Sequence, residues 1–278
     1  MTTGGAGDDL IAASGAYHWI NRGAGADRIA VSGLRDSTVV LDAQDSIEGR
    51  GAGDDGLTFW LTQGAQFQGD DGADRMIVST GSQGDGGAGN DLLRTDDQMG
   101  GENTLSGGAG NDTLIGNYGF ADYGPSMNDR FADHVGRSSD PLDGGDGDDV
   151  IRFDLADTVT GGAGADHLTG FLQQGETATV TDFDPAEDSL RVNLNPAETG
   201  ADFGNVGISE SEGNTLITVN GQVVLQIEGR TGLSIGFAHG DSFSGSDDSD
   251  QTHTDPDGNA VQPEALDVII DAWEGLVT

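Results

Sequence analysis

The nine-residue stretch GGAGDDLIA, residues 4–12, decides the architecture of this chain, because close variants of it return again and again. The variants lie at 22–30, 50–58, 69–77, 86–94, 107–115, 144–152 and 161–169. Each has glycine-rich leading positions, aspartate at the sixth position and an apolar residue at the eighth. Recurrence at a fixed period predicts stacked copies of one small element, since a single copy cannot bury its own apolar residue.

The start of the chain shows the period most clearly. The sixth position recurs every nine residues, at Asp9, His18, Asp27, Asp36 and Asp45. If each unit forms half a turn of a flattened coil, units 18 residues apart lie on the same edge. We therefore expect one edge to carry Asp9, Asp27 and Asp45. His18 and Asp36 are expected on the other edge.

The eighth position supplies an apolar ladder that is predicted to point inward from short strands. In the first units it is occupied by Ile11, Ile20, Ile29, Thr38 and Ile47. A period of nine does not match an amphipathic helix, and the 48 glycines of the chain oppose helix formation. The sequence therefore predicts an all-β fold built as a two-sided stack.

The same unit has the composition of a calcium site. Glycine adopts backbone conformations that are closed to residues with a Cβ, so the chain can turn tightly and aim carbonyl oxygens at one point. The aspartate adds a carboxylate, and calcium takes about 6–8 oxygen ligands of these two kinds. We expect calcium ions between stacked turns, with Asp27 shared by two ions and Asp9 terminal.

The unit resembles the nonapeptide GGxGxDxUx, where U is apolar, of RTX (repeat-in-toxin) calcium-binding proteins. The resemblance implies a parallel β-roll over residues 1–174 that binds several calcium ions. The implied metal-binding side chains are Asp9, Asp27, Asp36, Asp45, Asp55, Asp74, Asp91, Asn103, Asp112, Asp149, Asp157 and Asp166, where the uncharged Asn103 makes a weaker site. The glycines implied in the same turns are Gly5, Gly7, Gly23, Gly25, Gly51, Gly53, Gly87, Gly89, Gly108, Gly110, Gly145, Gly147, Gly162 and Gly164.

The net charge of the chain also indicates that it binds cations. It has 278 residues, a formal net charge of −38 and no lysine. Such a charge repels itself in a compact state and favours disorder unless cations neutralise it. Nucleic acid is excluded as a partner because there is no basic patch to meet the phosphates. No apolar run has the length of a membrane span, so none is expected.

Two segments interrupt the repeat. Residues 56–68 lack acidic side chains and carry Phe59, Trp60 and Phe67, which suits either a hydrophobic edge packed inside the fold or a partner-binding patch. Residues 117–141 form an irregular insertion. Long insertions on rigid scaffolds often carry function, so a covering loop, a binding loop and a catalytic site all remain open for it.

The character of the sequence changes near Gly175. Asp182, Phe183 and Asp188 match a D-F-x-x-x-x-D pattern, which resembles the segment that closes the roll in RTX proteins. Asn220-Gly221 joins two alternating runs and predicts a hairpin, because both turn positions need positive φ. We therefore expect an antiparallel β cap over 175–239, followed by an acidic flexible linker over 240–262.

Residues 263–278 are predicted to form a short C-terminal helix. Leu266, Ile269, Ile270 and Trp273 have the i, i+3, i+4, i+7 spacing of one helical face. RTX-like proteins leave the cell by type I secretion with an uncleaved C-terminal signal. This tail either packs on its own domain or is the export signal, and the resemblance favours the signal. The resemblance also implies that the protein is secreted, extracellular or attached to the cell surface.

The sequence assigns no catalytic residue. It contains neither the H-E-x-x-H of zinc proteases nor a G-x-S-x-G nucleophile elbow. We expect a structural, cell-surface or matrix-associated binding module that folds on extracellular calcium, with polysaccharide binding and self-assembly as open alternatives for its partner. The other hypothesis is an accessory module or small enzyme that acts on extracellular polymers, of the polysaccharide epimerase, lyase or hydrolase type.

Overall fold

The structure, a computed structural model, describes residues 2–16, 19–21, 28–35, 37–40, 46–49, 56–59, 64, 66–79, 81–96, 101–116, 138–239 and 252–272. In this part of the chain almost every regular element is a β-strand, and the strands form two long, mainly parallel sheets. Its helices are α1, which spans Pro196–Thr199, and the 3-10 helices Ala201–Phe203 and Pro263–Ala265. The all-β fold class predicted from the sequence is confirmed.

The strands form one sheet of 14 strands and one of 12. In order across it, sheet 1 contains β1 Thr2–Thr3, β3 Trp19–Asn21, β5 Ser37–Val40, β7 Gly56–Phe59, β9 Arg75–Ser79, β11 Leu92–Asp96, β13 Thr113–Ile115, β15 Val150–Phe153, β17 His167–Leu172, β19 Ser189–Leu194, β26 Val268–Ala272, β23 Ile235–His239, β24 Thr252–Thr254 and β25 Ala260–Val261. Sheet 2 contains β2 Leu10–Ala16, β4 Arg28–Arg35, β6 Ser46–Gly49, β8 Gln66–Gln68, β10 Gln83–Ala88, β12 Thr104–Ala109, β14 Pro141–Asp146, β16 Thr158–Ala163, β18 Ala178–Val180, β22 Gln222–Ile227, β21 Asn214–Val219 and β20 Val206–Ser211.

Up to β19, successive strands alternate between the sheets, and each strand from β1 to β17 pairs in parallel with the strand two later. Leu10 therefore lies beside Arg28, which is 18 residues further on, as the predicted period requires. Thr113 lies beside Val150, 37 residues further on, so neighbouring turns flank the insertion. Of that insertion, 117–137 lies outside the described residues, whereas 138–141 belongs to the stack because Pro141 begins β14.

The core lies between the two sheets and is filled from the eighth position of the repeats. At most 1% of each of five such side chains is exposed, namely Met76, Leu93, Leu114, Ile151 and Leu168. Ile11 and Ile29 are buried and paired, as predicted. Ile20, however, lies beside Val39 and not beside Thr38, so the predicted ladder is wrong by one residue in β5. Phe67 is also buried, which agrees with an edge packed inside the fold.

The antiparallel cap predicted over 175–239 is wrong for its first two strands, because β18 and β19 pair in parallel with β16 and β17 and continue the stack. β20, β21 and β22 are antiparallel and extend sheet 2 beyond β18. Asn220 and Gly221 turn with φ of 51° and 79°, which confirms the hairpin. β23 extends sheet 1 instead, and Phe183 is completely buried.

The helix predicted over 263–278 is wrong for residues 263–272. β26 lies between β19 and β23 and pairs in parallel with both. Val268 and Ile270 are fully buried while Ile269 is half-buried, which is the alternation of a strand. The edges of β19 and β23 both need a hydrogen-bonding partner, and the segment is rich in β-branched residues, which favour strands. These two effects outweigh the helical spacing of its apolar residues. Residues 273–278 lie outside the described part.

The predicted linker 240–262 is also partly wrong. Thr252–Thr254 and Ala260–Val261 form β24 and β25, which pair in an antiparallel hairpin at the end of sheet 1. Asp255 holds the turn between them by accepting hydrogen bonds from the backbone N–H groups of Asp257 and Asn259. The acidic stretch 240–251 lies outside the described residues.

Candidate metal centre

Edge 1, defined as the turns that lead from sheet 2 into sheet 1, carries a column of aspartates. The backbone N–H of each donates to Oδ1 of the aspartate in the next turn. The donor–acceptor distances are 2.7 Å from Asp74 to Asp91, 2.8 Å from Asp91 to Asp112, 2.7 Å from Asp112 to Asp149, 2.9 Å from Asp149 to Asp166 and 3.0 Å from Asp166 to Asp188. One carboxylate oxygen per turn therefore holds the stack together.

The second carboxylate oxygen has no such role. Oδ2 of Asp91, Asp112, Asp149 and Asp166 is buried and accepts no hydrogen bond from any described residue. Burying a charged oxygen without a donor is costly, and native structures seldom leave one in that state. The column therefore offers one strong, unsatisfied oxygen ligand in each of four consecutive turns.

A glycine at the first position of each unit makes room for this oxygen. A Cβ on Gly107 would overlap Oδ2 of Asp112 and lie 2.5 Å from the carbonyl oxygen of Gly144 in the next turn. Gly86 has the same relation to Asp91 and to the Gly107 carbonyl. A carboxylate oxygen and a carbonyl oxygen from a neighbouring turn thus converge beside Gly86, Gly107 and Gly144. These first-position glycines are not among the site glycines assigned from the sequence.

The predicted glycines lie next to this point. Positive φ angles between 101° and 140° are found at Gly87, Gly89, Gly108, Gly110, Gly145, Gly147, Gly162 and Gly164. A Cβ on Gly108 would overlap the carbonyl oxygen of Gly87 in the preceding turn. Glycine is therefore required twice over, for the backbone angle and for the close approach of stacked turns.

Electrostatics on edge 1 favour a cation. Burial, assisted by the neighbouring carboxylates of Asp112 and Asp85, raises the pKa of Asp91 to about 6. Burial, again assisted by nearby aspartates, raises the pKa of Asp149 to about 7. The pKa values of Asp112 and Asp166 are raised as well, mainly by burial. A hard cation among these oxygens would remove the penalty that causes the shifts, so the donor set fits calcium.

Edge 2, where the chain passes from sheet 1 into sheet 2, carries a second column. Oδ1 of Asn103 accepts from the backbone of Ser82, and the Asn103 N–H donates to Oδ1 of Asp140 at 2.7 Å. The Asp140 N–H donates to Oδ1 of Asp157 at 2.8 Å, while Oδ2 of Asp157 accepts from the Asp154 N–H. Both oxygens of Asp157 are therefore engaged by backbone donors, and Asp157 suits a metal less well than its sequence position indicates.

Asp140 is a candidate that the sequence interpretation missed. It is completely buried, and its Oδ2 accepts no hydrogen bond from the described residues. Burial raises its pKa to about 6. The available signal was the period itself, because Asp140 precedes Asp149 by nine residues. The sequence interpretation overlooked this nine-residue spacing because it placed Asp140 in the irregular insertion.

The N-terminal repeat also lies on edge 2. Asp9 is half-buried at one end of the stack, and its Oδ2 accepts a 2.7 Å hydrogen bond from the Gly5 N–H. Gly7, with φ of 112°, completes the turn. The remaining predicted ligands and glycines lie outside the described residues, namely Gly23, Gly25, Asp27, Asp36, Asp45, Gly51, Gly53 and Asp55.

The candidate sites are built differently from a cluster of acidic side chains. No three His, Cys, Asp or Glu side chains of the described residues group as one metal site. Each turn instead brings one carboxylate together with backbone carbonyl oxygens.

No helix in the described ranges is long and apolar enough to cross a membrane. A comparison with models of protein families finds no match, and a comparison with curated proteins finds no relative.

Proposed function

We propose that this chain is an RTX-type calcium-binding protein whose repeats form a parallel β-roll and fold when calcium binds in the edge turns. The observation that carries the proposal is the column of buried Oδ2 atoms on edge 1, each beside a first-position glycine and, for Asp91, Asp112 and Asp149, beside a carbonyl oxygen of the next turn as well. Hydrogen-bond donors do not satisfy these oxygens within the described residues. A divalent cation would.

Asp91, Asp112, Asp149 and Asp166, with the carbonyl oxygens of the first-position glycines, are the proposed ligands on edge 1. Calcium supplies positive charge and links the oxygens of successive turns. The protein supplies tight turns, a backbone hydrogen bond that orients each carboxylate, and a dry environment that strengthens the attraction. Asp140 is the corresponding ligand on edge 2.

The strand order and the charge both support this assignment. Alternation of short strands between two parallel sheets is the arrangement that the repeat predicts for a roll. With a net charge of −38, the chain requires many neutralising cations before it is stable in compact form. Metal binding and folding would thus be one coupled event.

We place the function outside the cell, as a secreted or surface-associated structural and binding module. Extracellular modules bind calcium at roughly 10⁻⁴–10⁻³ M, far above cytosolic levels, so the chain would fold only after export by a type I system. A polysaccharide or a second copy of the chain is the proposed partner. No observation within the described residues favours the alternative of an enzyme, or of an accessory module to one, acting on extracellular polymers.

A calcium titration of the full chain tests the proposal. We expect an expanded chain in chelator and a compact, β-rich one in millimolar calcium, measured by small-angle scattering and circular dichroism. Magnesium at the same concentration is the control, because it demands a small octahedral shell and is expected to compact the chain less. Identical scattering profiles in chelator and in calcium would contradict the proposal.

A further inference from the structure

A cavity of about 490 Å³ is lined by β20 of sheet 2 and β23 of sheet 1, and none of the candidate metal ligands lines it. The 3-10 helix Ala201–Phe203, β20, β23 and the turn after β24 all contribute to its walls. Its volume is in the range of about 300–1,000 Å³ that is typical of small-molecule sites. The calcium proposal does not use any of its residues.

The apolar part of the cavity is made of stacked aromatic rings. Phe203 and Phe237 stack with centroids 4.8 Å apart, and the edge of the His239 ring meets Phe203 at 5.4 Å. Nε2 of His239 lies 2.9 Å from Oγ1 of Thr254, which holds the imidazole in place. Val206 and Ile208 add aliphatic surface. The cavity therefore has a preformed aromatic wall.

The backbone that presents this wall is strained. Asp202 and Phe203 have φ of 52° and 58°, so two consecutive residues other than glycine occupy the left-handed region. That region is unfavourable for a bulky side chain, and such strain collects at binding and catalytic sites. Here it places the Phe203 ring against Phe237 and the Asp202 carboxylate at the rim of the same cavity.

The polar part of the cavity is negative. Asp202 and Asp255 line it, and no Arg or Lys of the described residues does. Hydrogen bonds from the side chain and backbone of Asn259 hold the pKa of Asp255 below its usual range. Asp255, which lines the cavity, therefore stays negatively charged, and the whole chain carries a charge of −38.

We propose that this cavity binds a small organic cation, with the carbon atoms of the ligand against Phe203 and Phe237 and its positive charge near Asp202 and Asp255. Aromatic faces attract cations through the ring quadrupole, and carboxylates add direct attraction. An anion would meet two carboxylates without a compensating base. A neutral ligand would gain only the apolar contact.

Choline and its uncharged carbon isostere, 3,3-dimethylbutan-1-ol, test the proposal on the unaltered full chain in calcium. The two molecules share shape and differ in charge, so we expect choline to bind several-fold more tightly in a calorimetric or NMR titration. Equal affinities, or no binding of choline, would overturn the proposal. Tighter binding of a neutral sugar such as methyl glucoside would also overturn it and would assign the cavity to carbohydrate.

Asp202→Asn supplies the matched variant. Asparagine also tolerates the left-handed region, so the backbone is kept while the charge is lost. We expect choline affinity to fall about twofold to fivefold, the effect of removing one exposed charge. Asp257→Asn is the control, because Asp257 is exposed in the neighbouring turn and does not line the cavity. Equal affinities in the two variants would contradict the role given to Asp202.

Discussion

The backbone N–H of Asp112 donates a 2.7 Å hydrogen bond to Oδ1 of Asp149, although 37 residues separate the two. This bond joins neighbouring turns across the insertion and leaves Oδ2 of Asp149 buried without a donor among the described residues. The two oxygens of this carboxylate therefore differ. One joins neighbouring turns and the other is the proposed calcium ligand, so the effects of calcium and of substitution can be separated experimentally.

Asp149→Asn is expected to change stability in opposite directions with and without calcium. Asparagine Oδ1 still accepts the Asp112 N–H, so the stack is preserved while a buried charge is removed. In calcium the variant should bind fewer ions and lose roughly 2–4 °C or more of thermal midpoint. In chelator, where the unaltered chain is expected to be expanded, the variant should be the more compact of the two because one buried charge is gone. Calorimetry in calcium and small-angle scattering in chelator provide the two measurements.

The control for that substitution is Asp146→Asn. Asp146 lies in the same turn and loses the same charge, but its side chain is exposed. Its thermal midpoint should shift little in calcium. A change of the same sign in both buffers for Asp149→Asn would contradict the assignment of its Oδ2 to a cation.

Gly107→Ala is expected to disturb both packing and calcium binding. The added methyl group would overlap Oδ2 of Asp112 and lie 2.5 Å from the Gly144 carbonyl oxygen. Overpacking of this kind costs about 1–3 kcal/mol. Gly5→Ala is the matched control, since its Cβ would have only Asp9 Oδ2 nearby, at 3.8 Å. Calcium stoichiometry and denaturant melts would compare the two variants. Equal stoichiometry and equal stability would argue against a calcium site beside the first-position glycine.

Ile270→Ala tests the strand assignment of the C-terminal segment. Ile270 is fully buried between β19 and β23, so its truncation should cost about 2–5 kcal/mol. Ile269→Ala, one residue earlier and half-buried, should cost clearly less. A helix with the spacing predicted from the sequence would place both residues on one apolar face. Similar losses for the two variants in chemical denaturation would therefore favour the helix.

The stability of the calcium-free chain should rise as the pH falls from 8 to 5. The folded-state pKa values of Asp91 and Asp149 are raised to about 6 and about 7, above an unfolded value of about 3.9. Because the folded chain then binds protons more tightly, this contribution is fully present below about pH 4 and is lost as the pH rises through 6–7. Small-angle scattering and circular dichroism in chelator would measure it as a growing fraction of compact, β-rich chain as the pH falls.

Asp149→Asn again serves as the control for the pH experiment. It removes the group with the highest of these pKa values and should flatten the pH dependence. Saturating calcium should flatten it as well, because the metal replaces the proton. A calcium-free chain that loses stability between pH 8 and pH 5 would contradict the buried position of these carboxylates.

The sequence by itself determined the repeating part of the molecule. A nine-residue period sets which residues point inward, so the burial of Leu93, Leu114 and Ile151 follows from local spacing. The Asn220-Gly221 hairpin also follows locally, because few residues other than these adopt the required φ. On edge 1 the period also identified Asp91, Asp112, Asp149 and Asp166, since stacking of equal units brings equal positions together.

Only the tertiary structure decided the features that depend on distant partners. Val268–Ala272 is a strand because β19 and β23 both form backbone hydrogen bonds with it. No local sequence pattern indicates that these two distant strands leave room for a third between them. Asp140 enters the stack because Asn103 and Asp157 lie on either side of it. The aromatic cavity likewise joins segments from both sheets. Contacts between residues far apart in the chain depend on how the whole sheet closes, and a period of nine carries no information about that.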